Sequence, residues 1–68
     1  MTFDISGIHI TLDGQIAAAK REAAMRRAVY ARRVEDRKMS MDQACREIAA
    51  MEAILATLEA LRKERAAA

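Results

Sequence analysis

Apolar and polar positions follow two different periods along this chain. In residues 3–12 they alternate, which is typical of a strand with one apolar face, whereas from residue 14 onward they recur every three or four positions, as in amphipathic helices. The only glycines, Gly7 and Gly14, lie in the first fourteen residues, and strong helix formers such as Ala, Arg, Glu, Met and Leu dominate the rest. The pattern therefore predicts a short extended segment followed by helix.

The N-terminal arm, residues 1–13, contains the alternating stretch "FDISGIHITLDG". If its Ser-Gly pair forms a two-residue turn, Ile5 faces Ile8, Phe3 faces Ile10, and the apolar side chains share one face. This favours a short β-hairpin. Ser-Gly is a weaker hairpin turn than Asn-Gly, so an extended arm, or a strand that pairs with another subunit, is the alternative. An isolated hairpin is marginal in water, so the apolar face must pack on something.

The remaining residues, 14–68, are predicted to form two helices. Asp13 is placed to be the N-cap of a first helix over about 14–37. Ser40 opens the sequence Ser-Met-Asp-Gln, a capping box that starts a second helix over about 41–65. With only two residues between the helices, the expected structure is an antiparallel helical hairpin.

The second helix carries the cleaner apolar pattern, with 3-4 spacing typical of a coiled-coil seam. Ile54 and Leu61 widen that seam on one side, and the first helix has two apolar stripes instead of one. Each helix thus needs more than one neighbour, which predicts that two hairpins dimerise into a four-helix bundle. The seam residues are Met41, Ala44, Ile48, Met51, Leu55 and Leu58. The predicted core and dimer contacts are Ile48, Met51, Ile54, Leu55, Leu58, Leu61, Tyr30 and Val34. The second stripe of the first helix is Ala18, Met25 and Val29.

The composition also favours a partner chain. A chain of 68 residues is one domain at most, and domains of this size usually need a disulfide, a metal or another subunit to supplement the core. A single Cys45 and a single His9 supply neither a disulfide nor a Cys/His zinc site, and no cofactor motif is present. No apolar run approaches the roughly 18 residues of a membrane span, and the lone thiol fits a cytoplasmic protein.

The sequence offers few residues that could catalyse a reaction or bind a metal. Cys45 lies beside the seam and is expected to be a buried structural thiol, and His9 is expected to meet Asp4 across the hairpin. Glu52 and Glu59 lie a heptad apart, which is not a di-iron arrangement. No nucleotide-binding or nucleophile motif occurs, so the sequence is not expected to encode an enzyme.

The stretch "REAAMRRAVYARRVEDRK", residues 21–38, is rich in Arg, but its basic side chains are scattered around the helix. With the turn centred near residue 39, position n should lie across from 79 − n. This register pairs Arg27 with Glu52 and Lys20 with Glu59, as rim ion pairs worth about 0.2–1 kcal/mol each. Glu47 is expected to reach Arg32 or Arg33.

The basic residues without a predicted intrachain partner are the candidate partner-binding site. We assign this role to Arg26, Arg32, Arg33 and Arg37, because the planar guanidinium pairs well with carboxylates and phosphates at interfaces. A solvated helix face is the plainer interpretation. Nucleic acid is not favoured, since only Tyr30 is available for stacking and it belongs to the apolar stripe.

Two parts of the helical region, "REAAMRRAVYARRV" and "M…A…REIAAMEAIL", together resemble small uncharacterised helical proteins encoded by phages and prophages of proteobacteria. The resemblance covers just over half the chain and leaves out the N-terminal arm. Relatives often carry Pro after the Tyr, where this chain has Ala31, so a longer unbroken first helix is expected here. The matching positions are Glu22, Met25, Arg26, Arg27, Val29, Tyr30, Ala44, Glu47, Ile48, Met51, Glu52, Ala53 and Ile54.

The resemblance implies a function by analogy only. Very small phage proteins of this type commonly occupy the surface of a host protein, and inhibitors of CRISPR effectors or other defence complexes are one such class. We therefore expect a phage-type protein that acts in the host cytoplasm and binds and inhibits a host protein or nucleoprotein complex. The alternatives are a small DNA- or RNA-binding regulator that uses the Arg-rich first helix, and a structural phage assembly factor.

Overall fold

A computed structural model describes residues 2–67, and two antiparallel helices contain most of them. Helix α1 spans Leu12–Glu35 and helix α2 spans Met41–Ala67, and the two pack against each other along their length. The predicted helical hairpin is confirmed. No helix in the described range is both long and apolar enough to span a membrane.

The first helix begins two residues earlier than the sequence indicates. Thr11, not Asp13, is the N-cap: its backbone is extended and its Oγ1 accepts a hydrogen bond of 3.0 Å from the Gly14 amide. Asp13 instead lies in the first turn, where its charge complements the positive end of the helix dipole. Thr11 is the better N-cap because its hydroxyl reaches the amide of Gly14, the third residue of the helix.

A Schellman motif ends α1, although the sequence has no glycine there. The Lys38 amide donates to the Arg33 carbonyl at 2.8 Å, and the Arg37 amide donates to the Val34 carbonyl at 3.1 Å. Arg37 takes the left-handed conformation that this motif requires, with φ of 59°. The helix thus ends at Glu35 and not at about residue 37 as predicted.

Ser40 caps α2 as the sequence predicts. Its Oγ accepts a hydrogen bond of 3.0 Å from the Gln43 amide, and its carbonyl accepts from the Ala44 amide at 3.0 Å. The reverse half of the capping box, from Gln43 to the Ser40 amide, is not among the hydrogen bonds formed within residues 2–67. The connector therefore runs over residues 36–40.

The core lies between the two helices and is small. Ala19 and Ala23 on α1 are buried against Met51 on α2, with Leu55 and Leu58 packed around them. Small residues on α1 let the long Met51 side chain fill the space between the helix axes. The predicted seam is confirmed in its centre, where Met51 is buried and Ile48, Leu55, Leu58, Leu61, Tyr30 and Val34 are half-buried.

Two predicted contact residues stay outside the core of the single chain. Met41 and Ile54 keep 65% and 51% of their surface exposed. Met25 and Val29, from the second stripe of α1, are also exposed. Ile54, Met25 and Val29 therefore lie at the surface of the single chain and not in its core.

The N-terminal arm contains a turn but no strand in its described part, residues 2–11. The Ile8 amide donates to the Ile5 carbonyl at 3.2 Å, with Gly7 in the left-handed region at φ 84°, which is the pattern of a type II turn. Turns of this type splay the flanking segments, whereas the primed types hold a hairpin together. The predicted Ser-Gly turn is therefore present, while the β-hairpin is not confirmed.

The expected contact between His9 and Asp4 is replaced by a local one. Asp4 accepts hydrogen bonds from the Ser6 amide at 3.0 Å and from the Ser6 hydroxyl. These bonds, the hydroxyl first, lower the pKa of Asp4 below its ordinary value of 3.8. Asp residues commonly bond the amide two positions on, so the side chain of Asp4 forms an Asx-turn that stabilises the arm from within.

The molecule is a single layer with an apolar arm attached. Its Cα extents are 46 × 37 × 14 Å and its radius of gyration is 15.3 Å, against about 11 Å for a compact chain of this length. The accessible surface is 5657 Å², whereas a compact monomer of 7.6 kDa exposes about 4,300 Å². The single chain thus exposes about 1,400 Å² more than a compact monomer of its mass.

Candidate partner-binding surface

Ion pairs between the helices fix the hairpin register on one edge. Arg27 contacts Glu52 at 2.8 Å and Lys20 contacts Glu59 at 3.9 Å. Both pairs follow the predicted 79 − n register. Lys20 and Arg27 are exposed and the two glutamates are half-buried, so solvent screens both pairs and they align the helices more than they stabilise them.

Arg26 lies on the opposite edge of the hairpin and is not free. Its Nε contacts Glu22 at 3.1 Å, while its Nη1 donates to the backbone carbonyl of Glu47 at 2.8 Å and approaches the Glu47 carboxylate at 3.4 Å. Only 21% of its side chain is exposed. The expectation that Arg26 has no intrachain partner is wrong, and so is the expected pairing of Glu47 with Arg32 or Arg33.

Arg26 bonds Glu47 because no acidic residue lies level with it on α2. By the 79 − n rule Arg26 lies level with Ala53, but Ala53 is on the outer face of α2 and carries no charge. The guanidinium therefore extends to Glu47, the acid on its own edge. The hydrogen bond that Arg26 Nε donates to the Glu22 carboxylate is the largest cause that raises the pKa of Arg26 above its ordinary value.

A third contact joins the far ends of the helices. Arg62 Nη1 lies 3.4 Å from Asp13 Oδ1, which links the start of α1 to the last turns of α2. The sequence pattern did not indicate this pair, because Asp13 was assigned to the cap. Arg46 pairs with Asp42 along α2 at 2.9 Å and takes no part in the contact between helices.

Four basic side chains that form no ion pair among the described residues lie at the turn end, namely Arg32, Arg33, Arg37 and Lys38. Arg32, Arg33 and Arg37 make no ion pair with any carboxylate in the described part of the chain, and all three are exposed. Arg32 and Arg33, together with Lys38, line a shallow groove of about 240 Å³. Its remaining lining residues are Ala28, Val29 and Asp36.

This groove combines an apolar floor with a cationic rim. Ala28 and Val29 supply the floor, and two guanidinium groups and one ammonium group surround it, opposed by the single carboxylate of Asp36. Arg at the edge of an apolar depression is a common composition for the centre of a protein interface. Lys38, which the sequence interpretation assigned to the connector, is part of this surface because the Schellman motif folds it back beside Arg33.

A second groove lies between the end of α1 and the start of α2. It has a volume of about 270 Å³ and is almost wholly apolar. Cys45 belongs to it and is exposed, so the prediction of a buried thiol is wrong. No group of three or more His, Cys, Asp or Glu side chains within residues 2–67 is arranged to hold a metal ion. The lining residues are Ala31, Val34, Glu35, Met41, Ala44, Cys45 and Ile48.

The two grooves share no lining residue and extend to different edges of the hairpin. Arg33 lies seven residues after Arg26, hence on the edge where Arg26 crosses to Glu47. Ala31 lies four residues after Arg27, hence on the edge where Arg27 crosses to Glu52. Ala28 of the cationic groove and Glu35 of the apolar groove lie seven residues apart, so the two grooves adjoin along α1.

Comparisons of the chain with family models, with curated proteins and with solved structures gave no match.

Proposed function

We propose that this chain is a small phage-type interaction protein that binds and inhibits a host protein or nucleoprotein complex, such as a CRISPR effector or another defence complex. The resemblance of the helical region to small phage and prophage proteins supports the anti-defence setting. The cationic groove supports the mode of action, which is occupation of a partner's surface without chemistry.

One observation carries the binding part of the proposal. Arg32 and Arg33 are exposed, have no intrachain ion pair among the described residues, and flank the apolar floor formed by Ala28 and Val29. A partner segment with an apolar side chain next to carboxylates matches this groove, since each guanidinium can bind a carboxylate with two parallel hydrogen bonds. Arg37 and Lys38 extend the same positive surface around the turn.

Arg26 has a different role in this proposal. Its guanidinium is engaged by Glu22 and Glu47, so it holds α1 on α2 and places Arg33 one heptad further along the same edge. A charge change at Arg26 would disturb the hairpin as well as any partner contact. The direct test therefore uses Arg32 and Arg33.

The test compares charge reversals at matched positions. The variants are Arg32→Glu, Arg33→Glu and Arg21→Glu, the last an equally exposed α1 residue outside the groove. Tagged proteins capture partners from host lysate for mass spectrometry, and the affinity of the identified partner is then measured with purified components. We expect about a tenfold or greater loss for the groove variants. Equal binding by all three variants would contradict the proposal.

The proposed active form is a homodimer of hairpins. The surface that the single chain exposes beyond a compact monomer, about 1,400 Å², exceeds the roughly 800 Å² per partner of a standard interface. Stacking two flat hairpins buries the apolar side chains that one layer leaves open. Sedimentation at micromolar concentration tests this, and a folded monomer at that concentration would contradict it.

A small DNA- or RNA-binding regulator is the second candidate, because Arg32, Arg33, Arg37 and Lys38 form a continuous basic surface at the turn. Phosphate contacts make affinity fall steeply with salt, with a slope of roughly 0.9 per contact on duplex DNA. A salt-titrated binding assay distinguishes the candidates. A slope near −3 or −4 that the Arg32→Glu variant reduces would favour the regulator, and no binding at low salt would eliminate it.

A further inference from the structure

We infer that the N-terminal arm of one chain occupies the apolar groove of a second copy, so that the two hairpins exchange arms. The inference deepens the dimer part of the proposed function and rests on it. It concerns the apolar groove, which the end of α1 and the start of α2 form.

The arm is an apolar segment without a partner in its own chain. Phe3, Ile5, Ile8 and Ile10 keep between 53% and 79% of their surface exposed, and every described residue from 2 to 11 is exposed. Burying a Phe or Ile side chain contributes about 1.5–3 kcal/mol each. The ten residues of this segment include four large apolar side chains, and Asp4 stabilises the turn between them. Such a segment gains free energy when it packs on an apolar surface.

The apolar groove has the size and composition to accept that segment. Its volume of about 270 Å³ is lined by aliphatic side chains and by Met41 and Cys45, with Glu35 as the only charged residue. A cavity of about 150 Å³ accommodates a benzene ring. The groove therefore has room for the ring of Phe3 together with one further aliphatic side chain such as Ile5.

The arm cannot reach the groove of its own chain. The arm joins α1 at Leu12 and the groove lies near Val34, which is about 33 Å further along the helix. Even fully extended, residues 3–11 span at most about 32 Å, and the turn at Ser6 and Gly7 shortens this reach further. The occupant must come from another chain.

A second copy in antiparallel orientation brings the two parts together. In that arrangement the start of α1 in each chain lies beside the turn end of its partner. Each arm then occupies the apolar groove of the other chain. The contact is reciprocal and closes as a dimer, whereas a head-to-tail contact of the same parts would continue into a fibre.

Cys45 gives a direct test because it is the only cysteine and lies in the groove. In the Phe3→Cys variant the new thiol should form a disulfide with Cys45 of the partner, and non-reducing electrophoresis should show a covalent dimer. The Ala53→Cys variant, with its thiol exposed on the outer face of α2 near the middle of the helix, is the control and should not crosslink to Cys45. Bridged cysteines require Cα atoms within about 7 Å, so the readout is local.

A second measurement uses no added thiol. The double variant Phe3→Ser with Ile5→Ser should raise the dimer dissociation constant at least about 100-fold while circular dichroism stays unchanged, since the arm lies outside the hairpin. The matched control, Phe3→Leu with Ile5→Val, keeps the arm apolar and should raise the dimer dissociation constant less than tenfold.

Three results would overturn the inference. A wild-type protein that is monomeric at micromolar concentration would contradict both the exchange of arms and the dimer. If the double variant still dimerises as tightly as the wild type, the exchange of arms is contradicted but the dimer is not. A Phe3→Cys disulfide at monomer mass would show that the arm reaches its own groove. Partner binding through Arg33 is measured separately, so a failure of the host-inhibitor proposal is distinguishable from all three.

Discussion

Arg26 Nη1 lies 2.8 Å from the backbone carbonyl oxygen of Glu47, and this hydrogen bond joins the middle of α1 to the second turn of α2. The same guanidinium contacts Glu22 through Nε, so it is held from both helices. A bond to a backbone acceptor does not depend on the ionisation of a partner side chain. Arg26 is therefore a structural residue of the hairpin more than a member of the free basic surface.

Replacing Arg26 should destabilise the hairpin more than replacing an unpaired arginine. The Arg26→Gln variant loses a charged donor to a backbone carbonyl and two carboxylate contacts, whereas Arg32→Gln loses none within residues 2–67. We expect the Arg26 variant to melt roughly 4 °C or more below the Arg32 variant. Thermal melts must be recorded at equal protein concentration, because a dimer's Tm depends on it. Equal melting temperatures would show that the bridge is energetically neutral.

The register of the hairpin could be predicted from the sequence on one edge only. The turn centre near residue 39 and opposite charges a heptad apart gave Arg27–Glu52 and Lys20–Glu59, because both pairs lie level on the same edge. The Arg26–Glu47 contact required a side chain that reaches along the helix to a carbonyl. Backbone acceptors have no signature in a sequence, so periodicity and charge could not reveal it.

A glycine at position 37 should stabilise the protein. Arg37 has φ of 59° at the left-handed position of the Schellman motif, and this conformation costs an L-residue about 1 kcal/mol that glycine does not pay. The Arg37→Gly variant should gain about 0.5–1 kcal/mol in the free energy of unfolding, measured by urea denaturation. The neighbouring Lys38→Gly variant, without a positive φ, is the control and should be neutral or less stable. A loss of stability in Arg37→Gly would contradict the conformational argument.

The two helix starts differ in how well the sequence indicated them. Ser40 opens the capping-box sequence Ser-Met-Asp-Gln, so the hydroxyl cap and its amide partner at Gln43 could be predicted together. At α1 both Thr11 and Asp13 are acceptable caps, and propensity alone favours Asp. The choice of Thr11 depends on where the arm leaves the helix, which local sequence does not determine.

Substitutions at the start of α1 distinguish the N-cap, Thr11, from the nearby Asp13. Thr11→Ala should lower the free energy of unfolding by about 1 kcal/mol, because the Gly14 amide loses its acceptor. Asp13→Ala should cost less, about 0.5 kcal/mol, since it removes only a favourable dipole interaction and an exposed contact with Arg62. Urea denaturation with Ser40→Ala as a reference cap measures both. A larger cost at Asp13 than at Thr11 would restore Asp13 as the cap.

The turn in the N-terminal arm should weaken in acid. The Ser6 hydroxyl and amide hold the pKa of Asp4 below its ordinary value of 3.8, so the carboxylate is favoured in the folded arm. Stabilisation of this sign is fully present above pH 3.8 and is lost as the pH falls through the lowered pKa of the folded arm. The Ser6 amide resonance, followed by NMR against pH, should titrate with a midpoint below 3.8. An Asp4→Asn variant keeps an acceptor for the amide and should remove the titration. A midpoint at or above the ordinary value would mean that Ser6 does not bind the carboxylate in solution, and the arm would then lack the compact turn that limits its reach.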